Sequence, residues 1–319
     1  MSVCLVCLGD EPPDCPDGPY HRACLLGLFG VDALPRIDID PTAIPERLGA
    51  GEPRWSISGV QRKAKVFLDE SRCELVIADR DHPSTLILKP HIERHPSVPE
   101  NEHVSMLIGR LAGLDVPPCG LFHLADGALG YLIRRFDRSA ERPPKGLRKE
   151  DFCQLAGKRP EGKYEGSAEL CADLVARFVR DPESSLRRLF RLFVVSYWIG
   201  NGDLHLKNIS LLEHEFGRGY SLSPVYDLVS SQIYRSGHDP QALPLSGRRR
   251  GDLGRRHYLD FAVGRCNLSE AEAAAILSDV LASHDRALAL LARSPLPDKL
   301  KRRYIDTLAT RAKVLARSP

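Results

Sequence analysis

Hydrophobic and polar positions change their period about halfway along the chain. Two short runs, "KVFLDE" and "CELVIA" at residues 65–70 and 73–78, alternate across a polar turn and predict a β-hairpin. "STLILKP" at 84–90 predicts a short apolar strand ended by Pro90. In "ENEHVSMLIGRLAG" the spacing becomes helical, with Val104, Leu107, Ile108 and Leu111 on one face. "GYLIRRF" at 130–136 reads as strand again. The polar, proline-bearing link "DRSAERPPKGLRKED" follows. Beyond it "SAELCADLVARFV" and "ESSLRRLFRLFVVSYWIG" are amphipathic helices, the second becoming apolar all round near Trp198, which implies burial. Ser269 with Glu272 three residues on predicts a capping box opening a terminal helical pair. The expected fold class is α+β, with a small strand-rich N-lobe and a larger helical C-lobe. Expected divisions are a Cys/His head at 1–30, an N-lobe at 31–149 and a C-lobe at 150–319.

Composition narrows the classes. The 319 residues are 43% hydrophobic and 27% charged, with a net charge of +3, ordinary for a globular chain with a sizeable core. The basic run Arg248, Arg249, Arg250, Arg255 and Arg256 reads as a solvated face, so no direct nucleic-acid contact is expected. No apolar stretch approaches membrane-spanning length, and "MSVCLVCLGDEPP" lacks the basic start and apolar core of a signal peptide. Nine cysteines is an odd count, and residues such as Cys153 and Cys171 sit singly in apolar surroundings. Reduced thiols in a cytoplasmic protein are the expectation.

The candidate chemistry begins at "IGNGDLHLKNISLL", where Asp203 and Asn208 lie in a loop entered by a helix and left by a strand. Protein kinases place a catalytic aspartate and a metal-binding asparagine at this separation. The aspartate accepts a proton from the attacking hydroxyl, and the asparagine reaches a metal on the phosphates. Lys207 adds a cation near the transferred group, and His205 could order the loop. "LSPVYDLVSS" puts Asp227 at the end of an apolar strand, where kinases carry a second metal aspartate. Asp, Asn and Gly also cluster in ordinary turns, so the loop alone is ambiguous. Lys89 at a strand end and Glu102 on the next helix match the ion pair kinases require, and their order favours a kinase.

Taken together, "SISGVQRK", "LILKP", "NEH", "RRFDR", "EDFCQLAG", "KYEGS", "GNGDLHLKNISLL" and "SPVYDLVSS" resemble the HipA-like serine/threonine kinases of bacterial toxin–antitoxin systems. The likeness covers roughly residues 55 to 235. It is most similar to the compact HipT-like branch, in which the extra N-terminal subdomain of full-length HipA is a separate small protein. The resemblance implies a two-lobed protein-kinase-like fold, with ATP and Mg²⁺ as cofactors. Ser58, Gly59, Val60, Gln61, Arg62 and Lys63 would form the phosphate-covering loop, and Lys89 would touch phosphate, backed by Glu102. The backbone of Glu150, Asp151 and Phe152 would bind adenine. Asp203 would be the base, with His205, Lys207 and Asn208 around the phosphates and Tyr226 and Asp227 at the metal. Implied too are phosphorylation of an aminoacyl-tRNA synthetase, and restraint by a HipB-type DNA-binding or small HipS-type antitoxin. Ser56 and Ser58 would be autophosphorylation sites, a brake in which added charge repels nucleotide.

Two features stand apart. The phosphate loop carries a single glycine, so its fit over ATP does not follow from a glycine-rich motif. Cys4-x-x-Cys7 and His21-x-x-Cys24 have the paired spacing of a structural zinc site, with Cys15 spare; a set of free thiols is the other reading. "GDLHLKN" is also similar to the loop of aminoglycoside and choline kinases, which leaves a small-molecule kinase as an alternative. A catalytically idle kinase-fold binding module is the second.

Overall fold

The computed structural model describes residues 3–10, 18–44, 62–79, 82–92, 95–139, 141, 144–213, 219–234, 241–248 and 253–317. Two compact units divide the chain: Met1–Leu107 with Pro117–Gly146 and Ala292–Leu296, and Ile108–Val116 with Leu147–Leu291 and Pro297–Pro319.

In the first unit, a short helix α1 (Arg22–Phe29) precedes the strands. β1 (Ala64–Asp69) and β2 (Glu74–Ile77) form the expected hairpin, in antiparallel register from Val66↔Ile77 to Asp69↔Glu74. Asp69 Oδ1 closes the turn by accepting from the Ser71 N–H at 2.9 Å. β3 (Leu86–Lys89), β4 (Cys119–His123) and β5 (Leu129–Arg134) complete a sheet of order β2-β1-β3-β5-β4 with antiparallel neighbours throughout. The hydrophobic pattern did not separate β4 from its surroundings. "CGLFH" is buried at four of five positions, so it shows no alternation.

Between β3 and β4 lies α2 (Val98–Leu111). Val104, Leu107 and Ile108 are buried as their spacing predicts and Leu111 is half-buried, but Asn101, Glu102, His103 and Ser105 are buried too. Polar residues can be buried there because they are bonded: Ser105 Oγ donates to Asn101 Oδ1, and Glu102 and His103 also have partners. A helix that reads as one-sided is thus enclosed.

The second unit opens with β6 (Lys149–Asp151), which pairs antiparallel with β7 (Ser210–Glu213), itself paired with β8 (Tyr220–Leu222). The polar link therefore ends in a strand that its composition concealed, since β6 is only three residues long and half-buried throughout. A single turn, α3 (Phe152–Leu155), follows, then α4 (Ala168–Phe178) and α5 (Pro182–Ile199). Ser167 caps α4 by accepting from the Leu170 N–H. α5 is the core helix, with every residue from Leu192 to Ile199 buried, and Phe190 and Phe193 pack against Phe261. It packs on α4 and β8, and on α7 (Glu270–Ala282) and α9 (Asp298–Ala316). α6 (Arg255–Arg265) supplies Phe261, and α8 (His284–Arg293) joins α7 to α9. The Ser269–Glu272 capping box forms as expected, but it opens three helices rather than a pair. Among the described residues no helix is long and apolar enough to cross a membrane.

α5 stops at Gly200, whose φ of +81° lets its N–H return to the Ser196 and Tyr197 carbonyls. A Cβ there would meet Thr307 Cγ2 at 2.8 Å and Gln232 Cβ at 3.1 Å. Gly200→Ala is therefore expected to cost at least about 1–2 kcal/mol from the left-handed conformation alone. The thermal midpoint should fall by at least roughly 2–4 °C, and an unchanged midpoint in calorimetry would show that this stop is not constrained.

Candidate active site

Each unit carries one cluster of the expected residues. In the first, Lys89 ends β3, opposite Tyr131 on β5. Its Nζ donates to Glu102 Oε1 at 2.5 Å, and both side chains are buried, 6% and 0% exposed. The Tyr131 ring lies under the ammonium at 5.6 Å. The two residues lie 13 positions apart, one on a strand and one on a helix, so the pair is a tertiary contact. Removing one partner from such a pair strands a charge, which typically costs about 3–5 kcal/mol.

In the second unit the cluster grows from the loop after α5. Asn201 Oδ1 accepts from the Asp203 N–H at 3.0 Å, and Ser231 Oγ accepts from the Gly202 N–H at 2.9 Å. Asn208 Nδ2 then donates to the Asp203 carbonyl at 3.0 Å. A carbonyl can only accept, so this bond fixes the amide and turns Asn208 Oδ1 the other way, as an oxygen donor for a cation. Asp203 is 4% exposed, and its Oδ1 accepts from Tyr164 Oη at 2.5 Å.

His205 is enclosed, with the Tyr164 ring edge-on at 5.1 Å. Burial, reinforced by the Lys163 cation and opposed by Asp227, pushes its pKa down from 6.5 to about 3. The imidazole is therefore neutral at physiological pH. Lys207 offers its backbone carbonyl to Tyr226 Oη at 2.9 Å, and Tyr226 also bonds Ser210 Oγ. Lys149 of β6 lies over the Tyr226 ring at 4.5 Å.

Asp227 is not at a strand end. β8 stops at Leu222, Pro224 follows, and Asp227 has a φ of +55°, outside the strand region. A non-glycine held there reports a backbone that its surroundings over-determine. Glu150 and Asp151 lie on β6 opposite Leu211 and Ser210, and the Phe152 N–H donates to the Ile209 carbonyl at 2.9 Å. The expected adenine-binding segment is thus laced to the strand that leaves the Asp203 loop. Asp151 itself caps α3 in a box with Gln154.

Arg62 and Lys63 are described, and Arg62 reaches the Pro41 carbonyl. Ser56, Ser58, Gly59, Val60 and Gln61 lie outside the described residues, as does Cys15. Cys4, Cys7, His21 and Cys24 come together, their ligand atoms all within 4.8 Å of one another. Sequence reasoning assigned no role to Tyr164 or Lys163. Both belong to "KYEGS", but 39 residues separate Tyr164 from Asp203, so no local spacing links them.

The depressed His205 pKa has a consequence for stability. Between pH 6.5 and 3 the unfolded chain takes up a proton that the folded state refuses. Its contribution is intact above pH 6.5 and is lost as pH falls. Urea titrations should show the parent losing about 2 kcal/mol more between pH 7 and pH 5 than His205→Gln does. Equal losses would mean that His205 is not held neutral.

A sequence profile of the HipA-like C-terminal domain matches residues 55–288. A Sinorhizobium fredii protein named "Putative kinase Y4dM" is 32% identical over 232 residues, 68% of this chain and 55% of that protein. The serine/threonine-protein kinase toxin HipA of Shewanella oneidensis is 28% identical over 220 residues, 64% of this chain and 49% of that one. The chain thus spans about half the length of these curated relatives. The Shewanella HipA solved with HipB and its operator DNA superposes with a TM-score of 0.72 at 23% identity, over 86% of this chain and 68% of its own. That likeness establishes the kinase-like α+β fold expected from the sequence. With the profile covering most of the chain, the protein belongs to the family of HipA-like C-terminal domains.

Proposed function

We propose that the chain is an ATP-dependent serine/threonine protein kinase. The observation that carries this reading is the 201–208 loop, where the Asn208 side-chain amide donates a hydrogen bond to the Asp203 carbonyl and a tyrosine hydroxyl orients the Asp203 carboxylate. Asp203 would accept the proton of the attacking hydroxyl, and Tyr164 would hold the carboxylate in one rotamer. The buried Lys89–Glu102 pair would present a cation to phosphate oxygens.

The residues present suit magnesium, since Asn208 Oδ1 and the Asp227 carboxylate are hard oxygen donors. Bound with ATP, the metal would neutralise charge on the phosphates. Around it Lys207 would contact the transferred group, and neutral His205 would add no positive charge to repel the metal. Tyr226, tied to the Lys207 carbonyl and Ser210, would hold the metal side of the loop. The segment 150–152 would offer its backbone to adenine, and residues 58–63 would cover the phosphates.

As substrate we propose an aminoacyl-tRNA synthetase, whose phosphorylation stops translation, and as self-target Ser56 and Ser58. A HipB-type antitoxin is the proposed partner, in line with the Shewanella HipA found with HipB and operator DNA, and a HipS-type protein is a further candidate.

With γ-labelled ATP, magnesium and purified synthetases, the parent should label one synthetase, and Asp203→Asn should lower the rate by about 10²–10⁴-fold. Label at parental levels in Asp203→Asn would overturn the assignment of the base. Tyr164→Phe removes one bond to a charged group, worth about 1.5–3 kcal/mol, so kcat should fall roughly 10–100-fold with little change in KM. A change confined to KM would place Tyr164 in substrate binding instead.

A further inference from the structure

We propose that Cys4, Cys7, His21 and Cys24 bind one zinc ion in a closed, structural site that fastens the N-terminal head to the edge of the sheet. The inference is independent of the kinase reading.

The geometry is that of a tetrahedral cage. Zinc–sulfur bonds of ~2.3 Å give a tetrahedron with edges of roughly 3.8 Å. Cys7 Sγ lies 3.3 Å from His21 Nδ1, Cys24 Sγ lies 3.9 Å from the same nitrogen, and all four ligand atoms fall within 4.8 Å. Three cysteines are unpaired and a histidine joins them, a donor set suited to zinc.

The local backbone is arranged around the sulfurs. Residues 4–9 form a tight turn in which Leu8 N–H returns to the Cys4 carbonyl at 2.8 Å and Cys4 N–H to the Gly9 carbonyl at 2.9 Å. Leu8 adopts a φ of +57°, uncommon for a leucine. The turn aims Gly9 N–H at Cys7 Sγ and leaves His21 N–H on Cys4 Sγ, each at 3.4 Å. Such bonds favour thiolates. His21 is the N-cap of α1 but makes no capping bond; its ring turns to the sulfurs instead. Cys24 sits in the first turn of α1, where the helix dipole favours the single net negative charge of a three-thiolate zinc site. Assembly would release one proton from each of the three thiols.

The head is bonded to the sheet. Leu121 N–H on β4, the edge strand, donates to the Leu5 carbonyl at 2.9 Å, between the two cysteines of the first pair. His103 Nε2 bonds the Val6 carbonyl at 2.9 Å, one residue along α2 from Glu102. Gly120 is bare because a Cβ there would meet Val6 Cγ2 at 2.8 Å. Tyr20 stacks on Phe122 and donates to the Leu121 carbonyl. Fixing the 4–9 turn with a metal therefore fixes a covering for β4 and a partner for His103.

The full chain, produced with zinc supplied and purified without chelators, should carry about one zinc per chain by elemental analysis. Cys7→Ser and Cys24→Ser should lose it, whereas Cys15→Ser and Cys73→Ser should keep it. Because ligand variants can fail to fold, the parent is also tested directly. Chelation should speed hydrogen exchange at residues 119–123, and cobalt replacing zinc should show tetrahedral d–d bands with thiolate charge transfer. Protein with reduced thiols and no metal, a disulfide among these cysteines, iron in place of zinc, loss of zinc in Cys15→Ser, or an octahedral cobalt spectrum would each overturn the proposal.

Discussion

The candidate site depends on where α5 ends. Once Leu192 to Ile199 are packed in the core, the helix cannot slide or rotate without exposing apolar surface, and Gly200 in the left-handed conformation ends it there. Between Gly200 and the 3-10 turn Leu206–Asn208 the chain has no helix or strand, and side chains satisfy its backbone groups. Asn201 holds the Asp203 N–H, Ser231 holds Gly202, and Asn208 holds the Asp203 carbonyl. A rigid hydrophobic helix thus sets the position of a short polar loop, and the loop's own hydrogen bonds set the aim of its carboxylate and amide.

Charge is managed differently in the two units. Lys89 and Glu102 are desolvated together, which is tolerated only because they touch. Such a pair contributes little net stability but leaves a lysine whose position is fixed. In the second unit burial removes the charge of His205, with Lys163 adding to the effect. The neutral ring then adds no charge of its own beside Lys207 and Asp227.

The long helices α4 and α5 were legible in the sequence because buried helices leave a strong period, whereas α6 was not. The Ser269–Glu272 box was also readable, since capping is local chemistry. The short elements were not. β6 has three half-buried residues and β4 has no polar alternation, so neither left a pattern. Within the site, the Asp203–Asn208 spacing could be read because both side chains act from one loop. Tyr164 could not, since it arrives from a separate turn. Asp227 departs from its expected place for a backbone reason: an apolar run suggests a strand, whereas the ladder ends at Leu222 and Asp227 has a positive φ.

The measurement that most directly tests the central claim is peptide mass spectrometry of the chain after incubation with magnesium and ATP, beside the Asp203→Asn variant treated alike. The account predicts phosphate on Ser56 or Ser58 of the parent and none on the variant. A parent that binds ATP yet carries no phosphate, or a variant that carries as much, would contradict it.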